Sequence, residues 1–317
     1  VSSSSTPPQI DLLVLDDVKD SILETLKSHF IVHIYKDEES LKPIASKIRA
    51  VATTGGMGMM RPDLMASLPN LEIISVNGVG TDRINLEEAA KRNIAITIAT
   101  NVSTNDVADT AMMLLLNLKR HFRFNEDYLY EGKWSREGYP PLAHSLEKCR
   151  LGVVGFGHIG QAIARRATAS EMEVAYYNRR PRSETSYKYI PDLIELASWS
   201  DILVLAVPGC AETDKMIDAS ILKALGPQGV LINIARGSVV DEEALIKALE
   251  NGTIAGAGLD VFCNEPHINP AFLKLKNVTL QPHQGSATEE TRQNLGQNMI
   301  DNLLAHFSGK KLLTPLT

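Results

Sequence analysis

Residues 150–160 read Arg-Leu-Gly-Val-Val-Gly-Phe-Gly-His-Ile-Gly, and this stretch decides the fold. The apolar run 151–154 predicts a buried strand, which passes through Gly155-Phe156-Gly157-His158-Ile159-Gly160 into a helix-forming run at 161–168. Strand, G-x-G-x-x-G turn and helix in that order are what a dinucleotide-binding unit requires. Gly155 permits the tight turn, Gly157 lets a pyrophosphate approach the backbone, and Gly160 lets helix and strand pack closely, while the helix N-terminus attracts the phosphates. A second strand is expected at 174–177. In NAD-binding units this strand ends on an acidic residue that holds the adenine ribose 2′-OH, but here it runs into Asn178-Arg179-Arg180. No carboxylate repels a 2′-phosphate there, and guanidinium groups can grip one bidentately, so NADP(H) is the expected cofactor and NAD(H) the alternative.

Moving outward from the turn, strand candidates recur at 202–206, 230–234, 256–259 and 278–280 with helix-length spacers, the pattern of a doubly wound sheet. Toward the N-terminus, runs at 10–15, 30–35, 48–53, 71–76 and 94–98 alternate with helix-like segments such as 21–28, which predicts a second parallel sheet. From Asn105 a long helix carries Val107, Ala111, Leu114 and Leu118 along one face and is read as the crossing between domains. The polar and aromatic stretch after it, through Trp134 and Tyr139-Pro140-Pro141, reads as a loop. A last helix is expected at 288–307. The fold class is therefore α/β, two doubly wound parallel-sheet domains with an interdomain cleft. At 317 residues the chain exceeds what one core usually supports, which agrees with two domains.

A formal net charge of −6 disfavours nucleic acid and anionic membrane surfaces as partners. Cys149, Cys210 and Cys263 form no CxxC pair, which argues against a disulfide framework or a zinc site and fits a reducing cytoplasm. Residues 1–8 are rich in Ser and Pro without an apolar core, so they read as a frayed terminus rather than a signal peptide, and the apolar run at 111–118 is too short to span a bilayer. His29 and His33 lie in a β-branched run without a nearby carboxylate partner, and no metal is expected.

Three segments carry the chemistry: Asn233-Ile234-Ala235-Arg236-Gly237, Gly258-Leu259-Asp260-Val261-Phe262-Cys263-Asn264-Glu265-Pro266, and Gln281-Pro282-His283-Gln284-Gly285-Ser286. Each follows a strand candidate, so all three reach the edge of an open α/β sheet where ligands bind. Reduction of a 2-oxo acid needs a cation for the carboxylate, an acid for the carbonyl oxygen, and a group that orients the acid. Arg236 has the planar fork for the first task. His283 is the natural acid, and a carboxylate such as Glu265 beside an imidazolium favours its charged form.

These segments and the nucleotide turn, in this order from about residue 11 to the C-terminus, resemble the D-2-hydroxyacid dehydrogenase family, and most closely its NADPH-using glyoxylate, hydroxypyruvate and hydroxyphenylpyruvate reductases. The resemblance implies a flavodoxin-like substrate domain of residues 1–101 and 286–317 and a Rossmann nucleotide domain of 102–285. It implies Arg236 as ligand of the substrate carboxylate and carbonyl, Glu265 as partner of His283, and His283 as proton donor. Asp260 would face the nicotinamide carboxamide, and Thr104, Val207, Pro208, Thr213, Ile234, Ala235 and Gly285 would border the cofactor. Gly78, Val79 and Gly80 would bind the substrate carboxylate, joined by Gly56 in a second substrate loop and by Ser286. A homodimer built on the nucleotide domain, through the helix from Asn105 and the arm around Trp134, is implied as well. Two departures stand out: Gln284 where an apolar residue is common, and a cluster of Met57, Met59 and Met60 that reads as pocket wall or plain core. Three rivals remain. A 3-phosphoglycerate dehydrogenase-like enzyme usually favours NAD, a formate dehydrogenase-like one would carry Gln at the position of Glu265, and an NAD(H)-sensing corepressor-like protein would bind cofactor with little turnover.

Overall fold

The computed structural model describes residues 10–54, 60–81 and 84–316. The chain divides into two compact units, one of Val1–Ser103 with Ala287–Thr317 and the other of Thr104–Ser286. Ser286, expected with the substrate domain, thus falls in the second unit, and residues 102–103 fall in the first.

In the first unit the chain runs β1 (Asp11–Val14), α1 (Asp20–His29), β2 (Ile31–Ile34), α2 (Glu38–Leu41), β3 (Ile48–Thr53), α3 (Pro62–Ala66), β4 (Ile73–Val76), α4 (Leu86–Lys91) and β5 (Ala95–Thr97). The five strands are all parallel in the order β2-β1-β3-β4-β5. Residues of β3 and β4 are buried on both faces, as parallel strands between helical layers must be. At the carboxyl edge, Asp16 accepts hydrogen bonds from Thr53 Oγ1 at 2.8 Å and Thr54 N at 2.6 Å, so the end of β1 anchors the end of β3.

The second unit opens with α5 (Thr104–Lys119), then α6 (Phe122–Tyr130) and α7 (Lys133–Glu137). The loop expected through Trp134 is therefore largely helical. Its helices are short and each starts after a left-handed residue, His121 (φ 52°) and Gly132 (φ 66°), which hides the period from a sequence window. There follow β6 (Arg150–Val154), α8 (His158–Ala169), β7 (Glu173–Tyr177), β8 (Lys188–Tyr189), α9 (Leu193–Trp199), β9 (Ile202–Leu205), α10 (Ala219–Leu225), β10 (Val230–Asn233), α11 (Glu242–Glu250), β11 (Gly256–Leu259) and β12 (Val278–Leu280). The strands pair in parallel in the order β12-β11-β10-β9-β6-β7-β8, one more strand than the six expected, because β8 is only two residues long. Winding starts at β6 and proceeds in both directions, so the switch of direction lies between β6 and β9. Helix α5 lies close over β11, where a Cβ on Gly258 would come within 2.9 Å of Leu114 Cβ. The chain then returns to the first unit as α12 (Glu289–Phe307), capped by Thr288 Oγ1 on Thr291 N at 3.1 Å. Met299, Ile300 and Leu303 of α12 pack with Leu12, Val14, Ala50, Ala52 and Ile73 of the five-stranded sheet.

Candidate active site on the seven-stranded unit

The glycine turn sits at the switch between β6 and β9, where open α/β sheets bind ligands. Gly155 has φ +94°, and a Cβ there would lie 2.6 Å from the Ala206 carbonyl oxygen. A Cβ on Gly160 would lie 2.1 Å from the Gly155 oxygen, so only glycine lets α8 begin this close to the turn. A Cβ on Gly157 would meet nothing within 4 Å, and no side chain caps the N-terminus of α8 behind it. Open space in front of unclaimed helical N–H groups is the cradle a pyrophosphate needs, so these residues fit a dinucleotide. His158 is exposed and Ile159 half-buried at the mouth of this cradle. Phe156, expected as a cofactor contact, has its ring fully buried and stacked on Tyr176 with centroids 4.1 Å apart, which leaves only its backbone for that task.

Asn178 follows β7 on one flank of the turn and donates through Nδ2 to the Arg180 carbonyl at 3.1 Å, while Arg179 and Arg180 are exposed. On the other flank Val207 and Pro208 follow β9, and Thr213 Oγ1 donates to the Pro208 carbonyl at 2.7 Å, closing that loop on itself. Thr104 is the first residue of α5 and half-buried.

Arg236, Glu265 and His283 follow the ends of β10, β11 and β12. Buried Asn233 accepts from Ala235 N and donates to the Arg236 carbonyl, both at 3.0 Å, which turns the chain so that Ile234 and Ala235 point inward and Arg236 is left half-exposed. Arg236 Nη1 also donates to the Ala235 carbonyl at 2.7 Å. At Gly237 a Cβ would lie 2.0 Å from the Phe262 carbonyl carbon. Glycine there lets the Arg236 loop touch the loop carrying Glu265. Glu265 Oε1 accepts from Phe262 N at 2.8 Å, and Oε2 lies 2.7 Å from His283 Nδ1. Burial is the largest influence on this carboxyl and pushes it up, but the His283 and Phe262 hydrogen bonds with the charges of His283 and Arg236 leave it below its ordinary value. The ionised carboxylate can only accept, so His283 Nδ1 carries the proton between them and Nε2 faces away.

His283 has φ 54°, a left-handed conformation, and its backbone N donates to the Asp260 carbonyl at 2.9 Å. The Asp260 carboxylate, 2% exposed, accepts from Gln284 N at 2.7 Å and Gly285 N at 2.8 Å. Burial pushes this carboxyl up, opposed by those two amides and by the His283 charge. Asp260 thus fixes the turn that carries His283. The roles of Asn233 and Asp260 in shaping the backbone carry no side-chain signature that a sequence displays. Gln284 is exposed and donates to the Pro282 carbonyl at 3.1 Å, and half-buried Ser286 ends the unit.

Within the other unit, Gly78, Val79 and Gly80 follow β4. Asn77 N donates to the Thr53 carbonyl at 2.7 Å and Ala99 N to the Gly78 carbonyl at 2.7 Å, so the start of this short loop is tied to the end of β3 and to the segment after β5. Gly56, Met57 and Met59 lie outside the described residues, whereas Met60 is buried in the core. Among the described residues no group of three or more His, Cys, Asp or Glu is arranged to hold a metal ion, and no helix is long and apolar enough to cross a membrane.

A phosphate cradle and an oriented imidazole on the same sheet define a nicotinamide-dependent oxidoreductase. Residues 112–285 match the family model described as D-isomer specific 2-hydroxyacid dehydrogenase, NAD binding domain, and the chain belongs to that family. It is 51% identical to 2-ketogluconate reductase of Gluconobacter oxydans over 306 residues, 96% of this chain and 98% of that one. It is 44% identical to glyoxylate/hydroxypyruvate reductase A of Arabidopsis thaliana, with 86% of each chain covered. Among solved structures, the NADPH-dependent glyoxylate/hydroxypyruvate reductase of Sinorhizobium meliloti in complex with NADP and malonate is 42% identical and superimposes with a TM-score of 0.92, covering 98% of this chain and 97% of that one.

Proposed function

We propose that the protein reduces a small 2-oxo acid to the D-2-hydroxy acid with NADPH, and that His283 is the proton donor. The observation that carries this reading is the 2.7 Å contact between His283 Nδ1 and a Glu265 carboxylate held ionised. With Nδ1 engaged, Nε2 presents the proton to the carbonyl oxygen, and Glu265 balances the charge on the ring before transfer. Arg236 holds the substrate carboxylate and polarises the carbonyl. NADPH bound at the glycine turn supplies the hydride. Arg179 and Arg180 recognise its 2′-phosphate, and the NADP-bound relative at 42% identity supports that choice over NAD(H). Glyoxylate and hydroxypyruvate are favoured as substrates by the Arabidopsis and Sinorhizobium relatives, and a 2-keto sugar acid by the Gluconobacter one.

The protein acts in the cytoplasm as a homodimer in this reading. Phe122 (58% exposed), Tyr130 (84%), Trp134 (51%) and Leu142 (93%) leave an apolar surface on the seven-stranded unit that a second copy would cover. The test is initial-rate oxidation of NADPH and NADH in parallel with glyoxylate, hydroxypyruvate, 4-hydroxyphenylpyruvate and 2-ketogluconate. Faster turnover with NADPH on at least one acid is expected. Cofactor binding without turnover on any of them would favour a sensor over an enzyme.

A further inference from the structure

Two tyrosines hold the backbone of the arginine loop. Tyr176, near the end of β7, is 1% exposed, and its hydroxyl accepts a hydrogen bond from Arg182 N at 2.8 Å. Tyr189, in β8, donates its hydroxyl to the Asn178 carbonyl at 3.1 Å. Arg179 and Arg180 are therefore bracketed between two anchored backbone positions, and the Asn178 amide ties the middle by its bond to the Arg180 carbonyl. The parallel register sets Tyr176 opposite Tyr189, which puts their rings side by side with centroids 5.4 Å apart. Tyr176 also stacks on Phe156 of the glycine turn, and Tyr187 meets Phe156 edge-on at 5.7 Å. One aromatic cluster thus joins the pyrophosphate turn to the arginine loop.

We propose that Tyr176 and Tyr189 are positioning residues for cofactor choice: their hydroxyls hold the 178–182 backbone so that Arg179 and Arg180 meet a 2′-phosphate already in register. The inference rests on the NADPH reading given above. Bidentate guanidinium–phosphate bonds depend on angle as well as distance, so a loop free to drift loses 2′-phosphate affinity while contacts to the rest of the cofactor persist. A purely space-filling role for the same tyrosines predicts equal effects on both cofactors.

The experiment compares wild type, Tyr176→Phe, Tyr189→Phe and Arg179→Ala,Arg180→Ala, the last pair also combined with Tyr189→Phe. It measures binding of 2′,5′-ADP and of 5′-ADP by calorimetry and steady-state KM for NADPH and NADH. Removing one hydroxyl should weaken 2′,5′-ADP by about two- to tenfold, the range one neutral hydrogen bond spans, with 5′-ADP and NADH changed by less than about twofold and kcat unchanged. In the arginine-less background, Tyr189→Phe should alter neither ligand. If wild type binds 2′,5′-ADP no tighter than 5′-ADP, the NADPH reading itself fails. If wild type discriminates but Tyr189→Phe weakens both ligands alike, or neither, the positioning role is overturned while the NADPH reading stands. Tyr189 is only half-buried and Phe keeps its ring, so this variant decides the matter even if Tyr176→Phe fails to fold.

Discussion

Gly237 shows how little room the site leaves at the scale of one residue. A methyl group there would have to occupy space 2.0 Å from the Phe262 carbonyl carbon, so the Arg236 and Glu265 loops must part to admit it. Gly237→Ala should lose about 1–3 kcal/mol of stability in denaturant unfolding, as overpacked sites do. It should also reduce kcat/KM far more than it alters cofactor affinity. A variant with near-normal rate would show that the contact between the loops is incidental. His283→Ala should lower kcat by roughly a hundredfold to ten-thousandfold with cofactor binding intact, the usual range for a lost general acid. Unchanged turnover would remove the proposed role. Glu265 makes a prediction with a sign. Its carboxyl sits below its ordinary value of 4.5, so its contribution to stability is complete above that value and lost as pH falls through the lower, folded-state value. The gap in Tm between wild type and Glu265→Gln should be widest near neutral pH and narrow in acid. A gap that stays constant into acid would mean the carboxylate adds nothing to the fold. Arg236, Glu265 and His283 were legible in the sequence because each stands in a dense motif after a strand. What Asn233 and Asp260 do for the backbone was not, because that work is done on amides and carbonyls, and the glycine motif does not reveal that the ring of Phe156 enters the core.

Elements were legible where they are long and apolar. Strands β1, β3, β6, β10 and β11 fall within a residue or so of their apolar runs, since a strand buried on both faces must be apolar throughout. Helices α6 and α7 were read as loop because nine- and five-residue segments between left-handed turns carry too few repeats of a helical period. The C-terminal segment after α12 is an element whose anchoring is invisible in the sequence. Asn302, fully buried, accepts from Leu313 N at 3.0 Å and Thr314 N at 3.1 Å, while Ile98 N and Leu316 N bond across to the Thr314 and Ile96 carbonyls. Asn302→Ala should therefore destabilise the protein by about 1–3 kcal/mol, because two amides lose their acceptor. It should also speed proteolysis within residues 310–316. A variant with normal stability and an uncut tail would show that strand contacts alone suffice.

For the whole molecule, the pattern of alternating runs conveyed two parallel sheets, but the return of the chain to its first unit was implied by family resemblance rather than periodicity, since a helix pattern does not say where it docks. That return has a consequence for the growing chain on the ribosome. The strands carrying Leu12, Val14, Ala50, Ala52 and Ile73 emerge first, yet Met299, Ile300 and Leu303, which cover that face, are made only after the entire intervening unit. At usual elongation rates the wait is roughly 10–40 s, long enough for an apolar sheet face to meet other nascent chains or a chaperone. A chain stopped after residue 286 should accordingly bind a hydrophobic dye and aggregate, and a monomeric, dye-silent product would show that the face finds other cover. In the cell, release of the last helix would then act as the timing step for the molecule, with the nucleotide-binding unit already folded while its older neighbour still waits for its final layer.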